Sequence, residues 1–226
     1  MKKQKKTAVI IGATGNLGRA TCKTLKKAGF EIDPVWQSKD HPDATDPESY
    51  KNLPKKIDFA AYLAGVNVIE DTQNLSKQDW DRVIATNLTG VFLFAKAAFP
   101  ALKAAKHSTF VAVSSMNVFH PYPGRVAYTA SKAGIEGVIR SLAVEWAKYG
   151  IATHGLRLGH LEGLMKTTKM GPILLEAVKK QTPSHRLINP SEVAKYLVWV
   201  AEGGSQSISG SIIDFDPAYA INRYPI

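Results

Sequence analysis

A chain of 226 residues, 45% of them hydrophobic, can bury one substantial core, and no linker, repeat or low-complexity tract divides it, so residues 1–226 are expected to form a single domain. Its formal charge of +10 invites a nucleic-acid partner, but the lysines are scattered and no aromatic platform is interleaved among them; solubility and attraction for anionic cofactors or substrates explain the charge better, with an acidic acyl carrier protein a conceivable partner. The single Cys22 excludes an internal disulfide, no run approaches the roughly 20 apolar residues of a membrane span, and no set of residues suggests a bound metal.

The basic start, Met1-Lys2-Lys3-Gln4-Lys5-Lys6, resembles the head of a signal peptide, yet the apolar run behind it is broken by Gly12, so a flexible arm (residues 1–6) and a cytoplasmic location are expected. Lys6 to Ile11 reads as a first strand. It runs into Gly12-Ala13-Thr14-Gly15-Asn16-Leu17-Gly18 and then a helical stretch from Arg19 to Ala28 stopped by Gly29. Glycines between a strand and a helix let the backbone approach a pyrophosphate, whose charge the free amides of the helix start receive. Gly12, Thr14, Gly15, Asn16, Leu17 and Gly18 are therefore candidate cofactor contacts, and Cys22 is expected to pack within the helix.

A second strand is expected over roughly Phe30 to Gln37. Further on, Trp80 to Phe92 reads as one helix, Val91 to Ala105 as strongly apolar helix, and Thr109 to Ser114 as a buried strand ending at Ser115. Tyr128 and Lys132 stand four residues apart in a helical pattern, which puts a phenol and an ammonium on one helix face. A neighbouring cation favours the phenolate, so the pair is a candidate proton-transfer device.

Strand, glycine turn, Ser115, Tyr128 and Lys132, taken in this order, resemble the short-chain dehydrogenase/reductase family from Thr7 to about Ala218. The resemblance implies a Rossmann-like, doubly wound parallel α/β sheet flanked by helices. It also implies catalytic roles for Asn87, Ser115, Tyr128 and Lys132, and a homodimer or homotetramer. The implied activity is NAD(P)-dependent oxidoreduction, with NADPH reducing a ketone or aldehyde, or the reverse. Tyr128 would give its proton to the carbonyl oxygen, Ser115 would hold that oxygen, Lys132 would also bond the nicotinamide ribose, and Asn87 would support a water leading to solvent. Ala64, Gly65, Gly159 and Leu161 match further cofactor positions.

Departures from the family pattern carry expectations of their own. Asn16 replaces the middle glycine of the turn, where its tolerance of positive φ would preserve the fold of the loop. Tyr62-Leu63-Ala64-Gly65 replaces Asn-Asn-Ala-Gly, Leu158-Gly159 replaces Pro-Gly, Glu162-Gly163 replaces the threonine that reaches the nicotinamide amide, and Asp216-Pro217-Ala218 replaces Asp-Gly-Gly. Only residues 38–42 separate the second strand from Asp43-Ala44-Thr45-Asp46, too few for the about 10–12 residues a crossover needs, so the third strand is expected to be absent or vestigial. The second strand would then be the sheet edge, which suits Asp33 and Pro34.

A carboxylate at the end of that strand would select NAD; Trp36-Gln37-Ser38-Lys39 supplies none, and Ser38 and Lys39 favour NADP. Asp43 matches a position that caps the adenine amine, or is a helix N-cap before Pro47. Residues 161–186 would cover the substrate, with Leu164, Met165, Met170, Ile173, Leu174 and Leu175 as an apolar lid or as ordinary core. Met116, Asn117, His120 and Tyr122 are expected near the pocket. Two other functions fit less well: a protein that binds NADP or a metabolite without turnover, and a sugar epimerase or dehydratase, for which the chain lacks room for a substrate domain.

Overall fold

The computed structural model describes residues 5–38, 40, 42–163, 171–204 and 206–222, with the backbone alone for 171–174. Its strands are β1 (Thr7–Ile11), β2 (Glu31–Ile32), β3 (Phe59–Tyr62), β4 (Ser108–Ser115), β5 (Ile151–Leu158) and β6 (Ile212–Phe215), all parallel, in the order β2-β1-β3-β4-β5-β6. The two-residue period of a strand divides the side chains between two cores. Val9, Ile11, Ala60, Tyr62 and Phe110 face α3 (Gly90–Ala104) and α4 (Val126–Trp146) through Val91, Phe94, Ala98, Ile135 and Ile139. Ala8, Ile10, Phe59, Ala61 and Val111 face α1 (Asn16–Lys27) and α6 (Pro190–Trp199) through Leu17, Leu25, Val193 and Leu197. Cys22 packs in that second core, and burial raises its thiol pKa. Helices on both faces of a parallel sheet make this the doubly wound α/β architecture.

Between Ile32 and Phe59 the described residues form only short 3-10 turns, Val35–Gln37 and Pro47–Tyr50, so the third strand is missing and β2 is the edge. The second strand is also shorter than the span from Phe30 to Gln37. Pro34 has no amide to give a ladder, and the Asp33 carboxylate takes the Val35 amide at 2.8 Å, turning the chain out of the sheet. Trp36 is buried, stacked on Tyr50 with ring centroids 5.5 Å apart, and both rings join the core on the α3 side, where Tyr50 lies against Phe94. Asp43 is not the N-cap of the following turn: Asp46 takes the Glu48 amide, while Asp43 takes the amide and hydroxyl of Thr45.

The helix expected over Trp80 to Phe92 is present within a longer helical run, Lys77 to Ala104, in which α2 (Lys77–Ile84) passes through a π turn, Ala85–Thr89, into α3. Tyr62 donates its hydroxyl to the Thr86 carbonyl within that turn, 2.6 Å away. Gly90 makes room for it, since a Cβ there would lie 2.2 Å from the phenol oxygen. The run from Lys77 to Ala104 is long and apolar enough to cross a bilayer by length and composition alone, but the face bearing Val91, Phe94, Ala98 and Leu102 belongs to the sheet core.

Candidate active site

Parallel register brings the carboxyl ends of five strands to one edge: Ile11 pairs with Tyr62, Ser115 with Leu158, and Leu158 with Phe215. The loops that leave those ends carry most of the residues singled out by the sequence. Gly12 follows β1 with φ of 83°, and a Cβ there would meet the Ala64 amide nitrogen at 2.6 Å, so the glycine turn and the Ala64-Gly65 segment lie in direct contact. Gly18 is required by packing, because a Cβ would sit 2.0 Å from the Gly12 carbonyl oxygen.

Asn16 is the first residue of α1 and does not hold the turn by positive φ; the left-handed position is Gly12. Instead its side-chain amide donates to the Glu162 carbonyl, across the gap to the segment after β5, and lies against Gly163. Glu162 is held in turn by the Asn189 amide at 3.2 Å, and Leu161 is buried in a bridge to Ile188. Gly159 must be bare, since its Cβ would lie 2.3 Å from a carboxylate oxygen of Asp216.

Ser115 ends β4 nearly buried, its oxygen accepting from the backbone and side-chain amides of Asn117, each at 3.2 Å. Tyr128 stands half-buried in the first turn of α4, with Lys132 one turn later and its ammonium 5.6 Å from the tyrosine ring centre. Lys132 is 3% exposed and donates to the Val113 carbonyl at 2.7 Å; burial pushes its pKa down to about 8. Asn87 sits in the π turn, fully buried. It takes the Val66 amide at 2.8 Å and donates to the Val66 carbonyl at 2.9 Å and to the Ser131 hydroxyl at 3.0 Å. Its amide therefore fastens the loop after β3 to α4, and a Cβ on Gly65 would lie 3.4 Å from Asn87 Oδ1 and 3.5 Å from Lys132 Nζ.

The phenol does not behave as its neighbour alone suggests. Burial raises the Tyr128 pKa, while the Ser115 hydroxyl and the charge of Arg125, rather than that of Lys132, pull it down; the net shift is upward. Met116 and Asn117 are buried beside the serine and His120 is exposed. The Tyr122 hydroxyl pairs with Tyr219 at 2.5 Å and with His160 Nε2 at 3.3 Å. Arg125, His160 and Tyr219 were not anticipated from the sequence; the position of Arg125 three residues before Tyr128 was the one available sign.

Ser38 follows the turn after β2, and Asp43 lies close enough to Tyr62, the last residue of β3, for its charge to add to the burial that raises that phenol's pKa. Lys39 lies outside the described residues. So do Leu164, Met165 and Met170 of the segment 161–186; within its helix α5 (Gly171–Gln181), Val178 is buried and Leu175 half-buried. The end of β2 does carry a carboxylate, Asp33, contrary to the reading that placed Trp36 there.

A nicotinamide dinucleotide fits this edge. Gly15 precedes α1 without a side-chain cap and with no acid in the first turn, leaving the helix-start amides to an anion, and Gly65, lacking a side chain, leaves space beside the Lys132 ammonium.

Comparison with known proteins agrees with this geometry. The profile of the family described as enoyl-(acyl carrier protein) reductase matches residues 43–219. The acetoacetyl-CoA reductase of Rhizobium meliloti is 28% identical, over 92% of this chain and 95% of its own. The 3-oxoacyl-(acyl-carrier-protein) reductase FabG of Thermotoga maritima is 27% identical, over 98% of this chain and all of its own. The crystal structure of gox2181 superposes with a TM-score of 0.88 at 25% identity, covering 97% of each chain. The chain belongs to the short-chain dehydrogenase/reductase family and is an oxidoreductase on an NAD(P)-binding Rossmann fold.

Proposed function

We propose that the protein reduces a ketone or aldehyde with NADPH through Ser115, Tyr128 and Lys132, the reverse oxidation using the same groups. The observation that carries this reading is the placement of a half-buried phenol, a serine hydroxyl and a buried ammonium at one strand end beside an uncapped helix start. When bound, the reduced nicotinamide supplies a hydride to the carbonyl carbon. Tyr128 delivers its proton to the oxygen, Ser115 holds that oxygen, and Lys132 bonds the ribose and helps return a proton to the phenol. The cofactor would be held by Gly12, Thr14, Gly15, Asn16, Leu17 and Gly18, with Ala64, Gly65, Gly159 and Leu161 around it and Asp43 toward the adenine. The names of the relatives, a 3-oxoacyl reductase and an acetoacetyl-CoA reductase, support a carbonyl substrate.

NADPH is preferred in this reading because Asp33, although at the end of β2, is 7% exposed and committed to the Val35 amide, so it is withheld from a ribose hydroxyl. Ser38 is exposed, and Lys39 follows it. Titration by nicotinamide fluorescence is expected to give tighter binding of NADPH than of NADH, and Lys39→Glu should weaken NADPH about tenfold while changing NADH little. Equal losses for both nucleotides would remove the case for NADP.

The buried lysine gives a pH prediction with two opposite signs. As pH rises through about 8 the folded chain loses the Lys132 charge, so NADPH affinity should fall. Stability should rise over the interval from about 8 to the ordinary 10.5, because the unfolded chain still binds that proton and the folded chain does not. Lys132→Met should flatten both trends in nucleotide titrations and thermal melts.

Assembly as a dimer or tetramer is proposed through the outer faces of α3 and α4. Phe92 and Val144 are 53% and 82% exposed there, beside a hollow of about 450 Å³ lined by Phe99, Leu142 and Trp146.

A further inference from the structure

Arg125 is the last residue before α4, three positions ahead of Tyr128. Arg82, Arg140, Arg157 and Arg186 each meet a carboxylate, and Arg19 donates to the Thr14 carbonyl. Arg125 has no acid within ion-pair distance among the described residues. Its guanidinium lies over the Tyr122 ring, 5.2 Å from the centroid. A cation at a helix start also opposes the helix dipole, so this residue does little for α4 itself. From that place over Tyr122, in the cluster with His160 and Tyr219, its charge lowers the pKa of Tyr128, Tyr122 and His160.

Lys132, the other cation near Tyr128, donates to the Val113 carbonyl and is buried. His160 is packed edge-on against Tyr122 and Tyr219, with centroids 5.9 Å and 5.0 Å away, and burial lowers its pKa to about 4, so it is neutral at pH 7. Its Nδ1 is buried without a partner among the described residues. The nearby Asp216 has one oxygen on the Ala220 amide, and burial raises its pKa. The surroundings of Tyr122 therefore combine aromatic ring surface, a neutral imidazole, the Asp216 carboxyl and a guanidinium with no acid partner among the described residues.

We propose that Arg125 is the anchor for a carboxylate carried by the substrate close to its carbonyl, so that the pocket takes 2- or 3-oxo acids and their hydroxy-acid products. The proposal rests on the carbonyl-reductase reading for its chemistry, but its anion site stands on Arg125 alone. A guanidinium holds a carboxylate through a forked pair of hydrogen bonds, which fixes direction as well as distance. With the carboxylate held three residues ahead of Tyr128, the neighbouring carbonyl is turned toward the phenol and Ser115.

The test compares kcat/KM for acetoacetate, a 2-oxo acid and their methyl esters, with NADPH, in the wild type, Arg125→Gln and Arg125→Lys. The acid should be preferred over its ester in the wild type, that preference should fall about a hundredfold in Arg125→Gln, and Arg125→Lys should restore part of it. An acid-to-ester ratio that is unchanged in Arg125→Gln would overturn the proposal. Calorimetric titration with butyrate in the presence of NADP separates the two readings. Binding that Arg125→Gln abolishes, without turnover of any carbonyl, would keep the anion site and remove the reductase reading. Absence of butyrate binding to the wild type would overturn the anion site whatever the turnover.

Discussion

Tyr128→Phe is expected to lower hydride transfer by about 10²–10⁴-fold, the usual contribution of a positioned proton donor, with little effect on NADPH affinity. The substitution removes one oxygen and leaves the ring in place, so the contact with Lys132 and the start of α4 should persist. Burial holds the phenol pKa above its ordinary value in the free protein, so the hydroxyl is protonated at neutral pH and ready to donate during reduction. Single-turnover oxidation of NADPH, read at 340 nm by stopped flow (the wavelength of the dihydronicotinamide), separates this loss from slow product release. A variant that turned over like the wild type would exclude the phenol as the acid.

The second large effect concerns stability. Glu136, buried in α4, takes two hydrogen bonds of 2.9 Å from the Arg157 guanidinium and one of 2.8 Å from Ser114. Arg157, near the carboxyl end of β5, also pairs with Asp214 and lies 4.0 Å from the Phe119 ring centre. Burial works to raise the Glu136 pKa, but the hydrogen bonds from Arg157 and Ser114 and the charges of Arg157 and Arg140 outweigh it, and the net shift is downward. Arg157→Met would leave that carboxylate buried without its main partner and should cost about 3–5 kcal/mol. Pairing it with Glu136→Gln should recover much of the loss, because the stranded charge is then gone. Thermal melts of the two variants decide this. In the wild type the stability tied to Glu136 is present above the ordinary carboxylate range and is lost as pH falls through its depressed folded value. The single variant should lack that part of the acid sensitivity.

The architecture was legible where side-chain periods and glycines are dictated by local geometry. The strand-turn-helix from Thr7 to Lys27, the strand ending at Ser115 and the pairing of Tyr128 with Lys132 all follow from spacing. Even the missing third strand could be counted from the five residues between Gln37 and Asp43. What failed was local competition for backbone groups. Asp33 and Pro34 end β2 after two residues because one captures an amide and the other lacks one, and no hydrophobic pattern reports that. The π turn at Ala85–Thr89 depends on a phenol 24 positions earlier, so helical periodicity ran straight through it. Asn16 seemed a matter of positive φ and proved to be a long-range bond to Glu162. The upward shift of the Tyr128 pKa reflects burial, which the spacing of two residues cannot convey.

The most direct test of the central claim follows deuterium from nicotinamide C4. NADPH carrying deuterium at that carbon, incubated with the protein and a panel of oxo acids, esters and aldehydes, should yield an alcohol with one deuterium on the former carbonyl carbon, and Tyr128→Phe should suppress it. Tight binding of NADPH with no deuterium reaching any carbonyl would contradict the account and favour a protein that binds the nucleotide without turning it over.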